Sequence, residues 1–179
     1  MNQRSNRVLY LALGAVIAAL YAVLTYAAGI AGLAYGPVQF RFSEALTVLP
    51  MFTPAAIPGL TIGCLLSNIF SGYGIYDLIF GTAATLLAAI LTRAVRKVRY
   101  RGIPVLAPLP PVIINALVVG LEITVVAGGK LDLASFNWIL FWSNAGSVGL
   151  GELVICYVLG LPLAMIIERN KKLKSLLRF

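Results

Sequence analysis

The stretch VQFRFSEALTVLPMFTPAAIPGLTIGCLLSNIFS, residues 38–71, decides how this chain folds. It is apolar almost throughout and too long for one crossing of a bilayer, which takes about 20 residues. Pro50, Pro54 and Pro58 punctuate it. A proline inside a helix removes a hydrogen bond and pushes on the preceding turn, so residues 51–57 form the expected hairpin between two short spans, 38–53 and 55–71. At about 16 residues each, such spans fall short of a perpendicular crossing, and neighbouring helices have to shelter them.

Charge sets the topology around this hairpin. Arg4 and Arg7 precede the first apolar run, Arg93, Arg96, Lys97, Arg99 and Arg101 cluster mid-chain, and Arg169, Lys171, Lys172, Lys174 and Arg178 close it. These are twelve of the 14 lysines and arginines, and the positive-inside rule puts all three groups in the cytoplasm. An even number of crossings then separates the N-terminus from residue 93. The runs 8–29, 38–71 and 75–92 meet that condition only if the middle one crosses twice. Runs 105–127 and 144–167 add two more, the former entered through Pro108, Pro110 and Pro111, a tolerated place for proline at a helix start. The expected fold is an all-α integral membrane protein, one domain over 1–179, a bundle of six transmembrane helices with both termini cytoplasmic.

Composition agrees. The chain is 60% hydrophobic, and its 11% charged residues compare with about 25% in soluble domains. Apolar segments recur to residue 167, so the first is read as a span and not as a cleaved leader. The formal charge of +8 is parcelled between spans, which argues against a nucleic-acid surface. Cys64 and Cys156 fall in apolar runs and read as reduced packing residues. Without histidine, and without a phosphate loop of the GxxxxGK[ST] type, no metal, no cofactor and no ATPase of its own is expected. The C-terminal tail from Arg169 to Phe179 mixes basic residues with Leu173, Leu176 and Leu177, the pattern of an anchor on anionic lipid.

Against that background four acids stand out, Glu44, Asp77, Glu122 and Glu152, with no basic residue expected deep beside them. A carboxylate near mid-span costs about 2.5 to 3.5 kcal/mol by insertion scales, so it persists only when paired or protonated. The topology puts all four in the outer half of the bundle. Asn115 and Glu122 share a helix face seven residues apart, and Asp77, Gly81 and Thr85 form a small polar stripe at four-residue spacing. Plainer readings exist for most of them. Arg41, three residues before Glu44, suits a local ion pair, Asp77 a helix cap, and Asn115 an interhelical hydrogen bond. Trp138 and Trp142 suit an interfacial aromatic belt as well as stacking on a ring. Ala15, Ala18, Ala19 and Ala22 line one face of the first helix, and Gly59 with Gly63 forms a GxxxG on the third; small faces of this kind serve close helix approach, within the bundle or to a second membrane subunit.

The runs VQFRFSEALTVLP (38–50), FTPAAIPGLTIGCLLSN (52–68), YDLIFGTAATLLAA (76–89), PPVIINALVVGLE (110–122) and GLGELVICYVLGLPL (149–163) together resemble the QueT family. That family comprises the substrate-binding S components of energy-coupling factor importers, which take up queuosine precursors. The resemblance implies a six-helix fold in a bacterial cytoplasmic membrane and a solute pocket near the outer face. It also implies assembly with a transmembrane T subunit and two ATPases, with the alanine face of helix one as the T-subunit contact. A 7-deazaguanine presents a donor edge, N1–H and the exocyclic amine, that one carboxylate accepts in bidentate fashion. An aminomethyl substituent adds an ammonium for a second carboxylate. Glu122 and Glu152 are the expected ligand carboxylates and Asn115 the reader of the base. Asp77, Glu44, Arg41, Trp138, Trp142 and Asn144 complete the candidate set. The alternative is a proton-coupled transporter of small solutes or organic cations, which also needs intramembrane carboxylates.

Overall fold

In the computed structural model, residues 3–34, 38–69, 71–72, 74–127, 130–134 and 136–177 are described. The N-terminal helix α1, Gln3–Ile30, ends in a Schellman turn: Gly32 adopts φ 71°, its N–H bonds Gly29 O and that of Leu33 bonds Ala28 O, both at 2.9 Å. A residue with a side chain would strain that left-handed position. After residues 38–41, a 3-10 helix runs from Phe42 to Met51, followed by a break at residues 52–55 and helix α2, Ala56–Asn68. Then come α3 (Ile75–Ala94), α4 (Leu109–Val125), a two-residue hairpin pairing Val126–Ala127 with Lys130–Leu131, and α5 (Trp138–Ile155). One π turn, Cys156–Gly160, joins α5 to α6 (Leu161–Arg169), and α7 (Lys171–Leu177) follows.

The expected second span is a 3-10 helix and not an α-helix. Runs of more than three or four residues in this form are uncommon, and tertiary packing supports this one. It packs against α1, α2, α3, α5, the π turn and α6, and eight of its ten residues are buried. At about 2 Å rise per residue the ten residues reach roughly 20 Å, against about 15 Å as an α-helix.

Consecutive helices pack side by side around that segment. Gly59 and Gly63 seat α2 on α1: a Cβ on Gly63 would lie 2.7 Å from the Tyr21 Cβ and 2.8 Å from Ala18 O. The core there gathers Ile17, Tyr21, Leu49, Leu60, Cys64 and Ile167. On the other side, Gly120 admits Ala145, whose Cα stands 2.7 Å from where a Cβ would be, so α4 and α5 approach closely. Helices α3 and α4 run antiparallel, since Thr92 near the end of α3 bonds Ala107 O just before α4 (3.3 Å) while Ala84 and Val119 meet further along, with Val148 of α5.

Among the described residues, three helical stretches are long and apolar enough to cross a membrane, Asn6–Ile30, Ile75–Ala94 and Trp138–Arg169, with mean hydropathies of 2.3, 1.7 and 2.2. Ala56–Asn68 and Leu109–Val125 are shorter apolar helices. Their outer faces carry bare aliphatic side chains such as Val23, Ile79, Leu150 and Val158, each about 60% exposed, which suits hydrocarbon and not water. Among the described residues the secondary structure is helical apart from the short hairpin and one isolated bridge.

The largest departure from the expected boundaries is at the last apolar helix. The last apolar helix begins at Trp138 and not at 144, because Asn137 caps it, its side chain accepting from Ile139 N and Leu140 N. That helix continues to Arg169 through the π turn. Pro162 has no N–H to offer Val158 O and its ring crowds that carbonyl, so the backbone widens just before it. Of the tail, Arg178 and Phe179 lie outside the described residues.

Candidate functional site: two buried polar clusters

The bundle encloses two groups of polar side chains. The first sits mid-bundle. Glu44, in the first turn of the 3-10 helix, is 1% exposed and accepts from Tyr21 Oη of α1 through Oε1 and from Asn115 Nδ2 of α4 through Oε2 at 3.5 Å. The same Asn115 amide donates to Glu152 Oε1 of α5 at 2.9 Å, and Glu152 Oε2 accepts from the Cys156 thiol at 3.5 Å. Thr47 stands 3.9 Å from that sulfur and turns its hydroxyl to Glu44 O at 2.6 Å. Two carboxylates from different elements are thus joined by one amide and flanked by a phenol and a thiol. Every donor in the group is neutral.

The second group lies at the end of the bundle that carries the α2–α3 and α4–α5 connections. Asp77, in the first turn of α3, is 1% exposed, and its Oδ2 lies 3.5 Å from Arg41 Nη2. Arg41 is itself 6% exposed and also donates from Nε to Ala34 O at 3.3 Å. Asn68, the last residue of α2, donates from Nδ2 to Asp77 O at 3.0 Å. Thr85 and Asn68 both reach Cys64 Sγ, at 3.2 and 3.4 Å. Glu122, three residues before the end of α4 at this same end of the bundle, is fully buried, and neither of its carboxylate oxygens has a hydrogen-bond partner among the described residues.

Several expectations are corrected here. Arg41 does not pair with its near neighbour Glu44; its backbone is extended (φ −84°, ψ 104°), which carries the guanidinium to Asp77 instead. The acids therefore do have a basic residue deep beside them. Asp77 does not cap α3, whose cap position is Gly74 at φ 62°. Trp138 and Trp142, in the first turns of α5, are 66% and 60% exposed and pack edge to face against Phe136 and the buried Phe141 respectively. Asn144 is half-buried and donates to Thr124 Oγ1 at 3.1 Å. Glu44, Asn115 and Glu152 come together, Arg41 pairs with Asp77, and Glu122 lies near the end of α4 at the same end of the bundle as that pair. Both cysteines are free and buried. The alanine face is split: Ala18 and Ala22 are buried in the bundle, whereas Ala15 and Ala19 are exposed.

Sequence reasoning passed over Tyr21, Asn68, Thr85 and Cys156 as site residues. A signal existed for Asn68, an amide closing an otherwise apolar helix, and for Thr85, already on the Asp77 stripe. Tyr21 looked like any core aromatic, and nothing in its spacing pointed to Glu44.

Comparison with known proteins sets this geometry in context. The family described as QueT transporter matches residues 11–169. The queuosine precursor transporter QueT of Lactococcus lactis subsp. cremoris (strain MG1363) is 42% identical over 73 residues, a match that covers 41% of this chain and 43% of that protein. The alignment thus spans less than half the length of that curated relative. No solved structure matches the chain.

Proposed function

The chain belongs to the QueT transporter family, and from that premise we propose that it is the solute-binding S component of an energy-coupling factor importer for a queuosine precursor. The solute is 7-aminomethyl-7-deazaguanine or a related 7-deazapurine. The protein is a membrane transport protein and not an enzyme. In this reading a transmembrane T subunit and two ATPases supply the energy, and the chain is one domain in a bacterial cytoplasmic membrane. Six segments cross it, namely α1, residues 38–51, α2, α3, α4 and the α5–α6 helix, with both termini inside.

The observation that carries the reading is the Glu44–Asn115–Glu152 bridge. A carboxylate held in a dry bundle is matched to a paired N–H donor edge, and the N1–H and exocyclic amine of a 7-deazaguanine present such an edge in plane. Glu152 or Glu44 accepts that edge in exchange for the Asn115 amide, which turns to the base carbonyl. Tyr21 keeps the second carboxylate oriented. Ring recognition in this form needs no protein cation, since the donors come from the solute.

The T subunit is assigned to the exposed side of α1. Ala15 and Ala19, with Leu11, Ile62 and Leu66, line a shallow groove of about 380 Å³ between α1 and α2, where a partner helix approaches closely on small residues.

The test is calorimetric titration of the purified protein with 7-aminomethyl-7-deazaguanine, repeated on Glu152→Gln. Binding that is weakened tenfold or more in the variant supports the reading. Absence of binding to the wild-type protein overturns it. Uptake that proceeds without any ATPase partner and collapses with the proton gradient replaces it with proton-coupled transport.

A further inference from the structure

Among the described residues, the buried carboxylate and amide atoms that find no hydrogen-bond partner are Glu122 Oε1, Glu122 Oε2, Asp77 Oδ1 and Asn68 Oδ1. All four are acceptors. A set of orphaned acceptors in a dry interior costs free energy unless a donor arrives, and it names the kind of donor, a compact cation with several N–H bonds.

The residues that carry these atoms lie at one end of the bundle. Asn68 Nδ2 and Asp77 Oδ1 lie 2.6 and 2.7 Å from where a Cβ on Gly81 would stand, so the bare glycine is what admits both. Ala84 of α3 meets Val119 of α4, and the two helices run antiparallel. Gly81 and Glu122 each lie three residues further toward the same end, about 4.5 Å along the axes, and therefore stand at one level.

We propose that Glu122, Asp77 and Asn68 form a subsite for a protonated primary amine on the solute, distinct from the mid-bundle carboxylates that read its ring. An alkylammonium carries three N–H donors, enough to engage both Glu122 oxygens and one of the two other acceptors. In the mid-bundle cluster neutral donors already meet every carboxylate oxygen, whereas the loop-end cluster is completed only by the solute. The proposal rests on the transport reading above and divides its two tasks: ring recognition by Glu44, Asn115 and Glu152, and selection of the cationic substituent by Glu122.

The test compares affinities of the wild-type protein for 7-aminomethyl-7-deazaguanine, its 7-cyano analogue and unsubstituted 7-deazaguanine. Hydrogen bonds to charged groups imply a preference for the amine of about ten- to a hundredfold. Glu122→Gln, which keeps size and shape, should bring the amine down to the level of the other two and leave their affinities unchanged, while Glu152→Gln weakens all three. Equal affinities in the wild-type protein overturn the subsite without needing any variant to fold, and leave ring binding intact. A preference that survives Glu122→Gln also overturns it. So does competition of the amine by sodium ion that vanishes in Glu122→Gln, which would assign the acceptors to a metal cation. Failure of all three compounds to bind would instead remove the transport reading beneath it.

Discussion

The two polar clusters contain the same kinds of side chain and differ in how they are closed. In the mid-bundle cluster each carboxylate oxygen of Glu44 and Glu152 has a neutral protein donor: a phenol, an amide or a thiol. In the loop-end cluster a full cation, Arg41, meets one oxygen of Asp77, while the carboxylate of Glu122 has no hydrogen-bond partner among the described residues. The first arrangement is self-sufficient and can exchange donors for a solute edge at little cost. The second holds an imbalance that has to be met from outside. Hydrogen-bond satisfaction, more than the count of acids, separates a group that positions from a group that selects.

The largest effect expected from breaking this contrast is at Arg41. Removing one partner of a buried ion pair leaves an uncompensated charge and costs about 3 to 5 kcal/mol. Arg41→Ala should therefore lower the thermal transition in detergent more than any change in the mid-bundle cluster, and adding Asp77→Asn should restore much of the loss. If the single variant melts like the parent, the two clusters are equivalent in stability and the contrast fails. Next comes Gly151→Ala. A Cβ there would stand 2.0 Å from Gln39 O, so the segment carrying Arg41 and Glu44 has to move off α5. Overpacking of this sort costs about 1 to 3 kcal/mol, and because the segment serves both clusters, ring binding and amine preference should fall together. Asn115→Ala is smaller and one-sided. It strips the link between Glu44 and Glu152, at about 1 to 3 kcal/mol for the donor lost, and should weaken all three deazaguanines equally while leaving their order unchanged.

Much of this was legible before any coordinates. The prolines at 50, 54 and 58 marked the break, which falls at residues 52–55; the GxxxG of Gly59 and Gly63 marked a close helix contact, made to α1; the faces of Asn115, Glu122 and the Asp77–Gly81–Thr85 stripe are all buried. What stayed hidden follows from backbone form. Helical spacing put Arg41 beside Glu44, but that rule holds only where both residues are helical, and Arg41 precedes the 3-10 helix in an extended conformation. Hydropathy reports that residues 42–51 are apolar and cannot tell a 3-10 helix from an α-helix. The π turn depends on Pro162 acting on a carbonyl four residues earlier, within a run of otherwise good helix formers. Asn137, by contrast, was a readable cap, and the helix it starts begins six residues before the run expected from 144.

Those tryptophans give the smallest and most discriminating expectation. Trp138 and Trp142 are exposed on α5, pack edge to face with Phe136 and the buried Phe141, and have no hydrogen bond with either cluster among the described residues. A ring that stacked on the solute would lose binding strongly on truncation, as aromatic contacts in binding sites commonly contribute more than 1 kcal/mol. An exposed ring on a helix exterior should cost no more than about 0.5 kcal/mol in stability. Trp142→Ala is accordingly expected to bind all three deazaguanines as the parent does, measured by the same titration. A tenfold loss would bring the aromatic group to the solute and require the α4–α5 connection to fold over the loop-end cluster, so that Glu122 and a stacking ring would select together. An unchanged affinity leaves discrimination to Glu122 and its neighbours, with the tryptophans serving the surface of the helix.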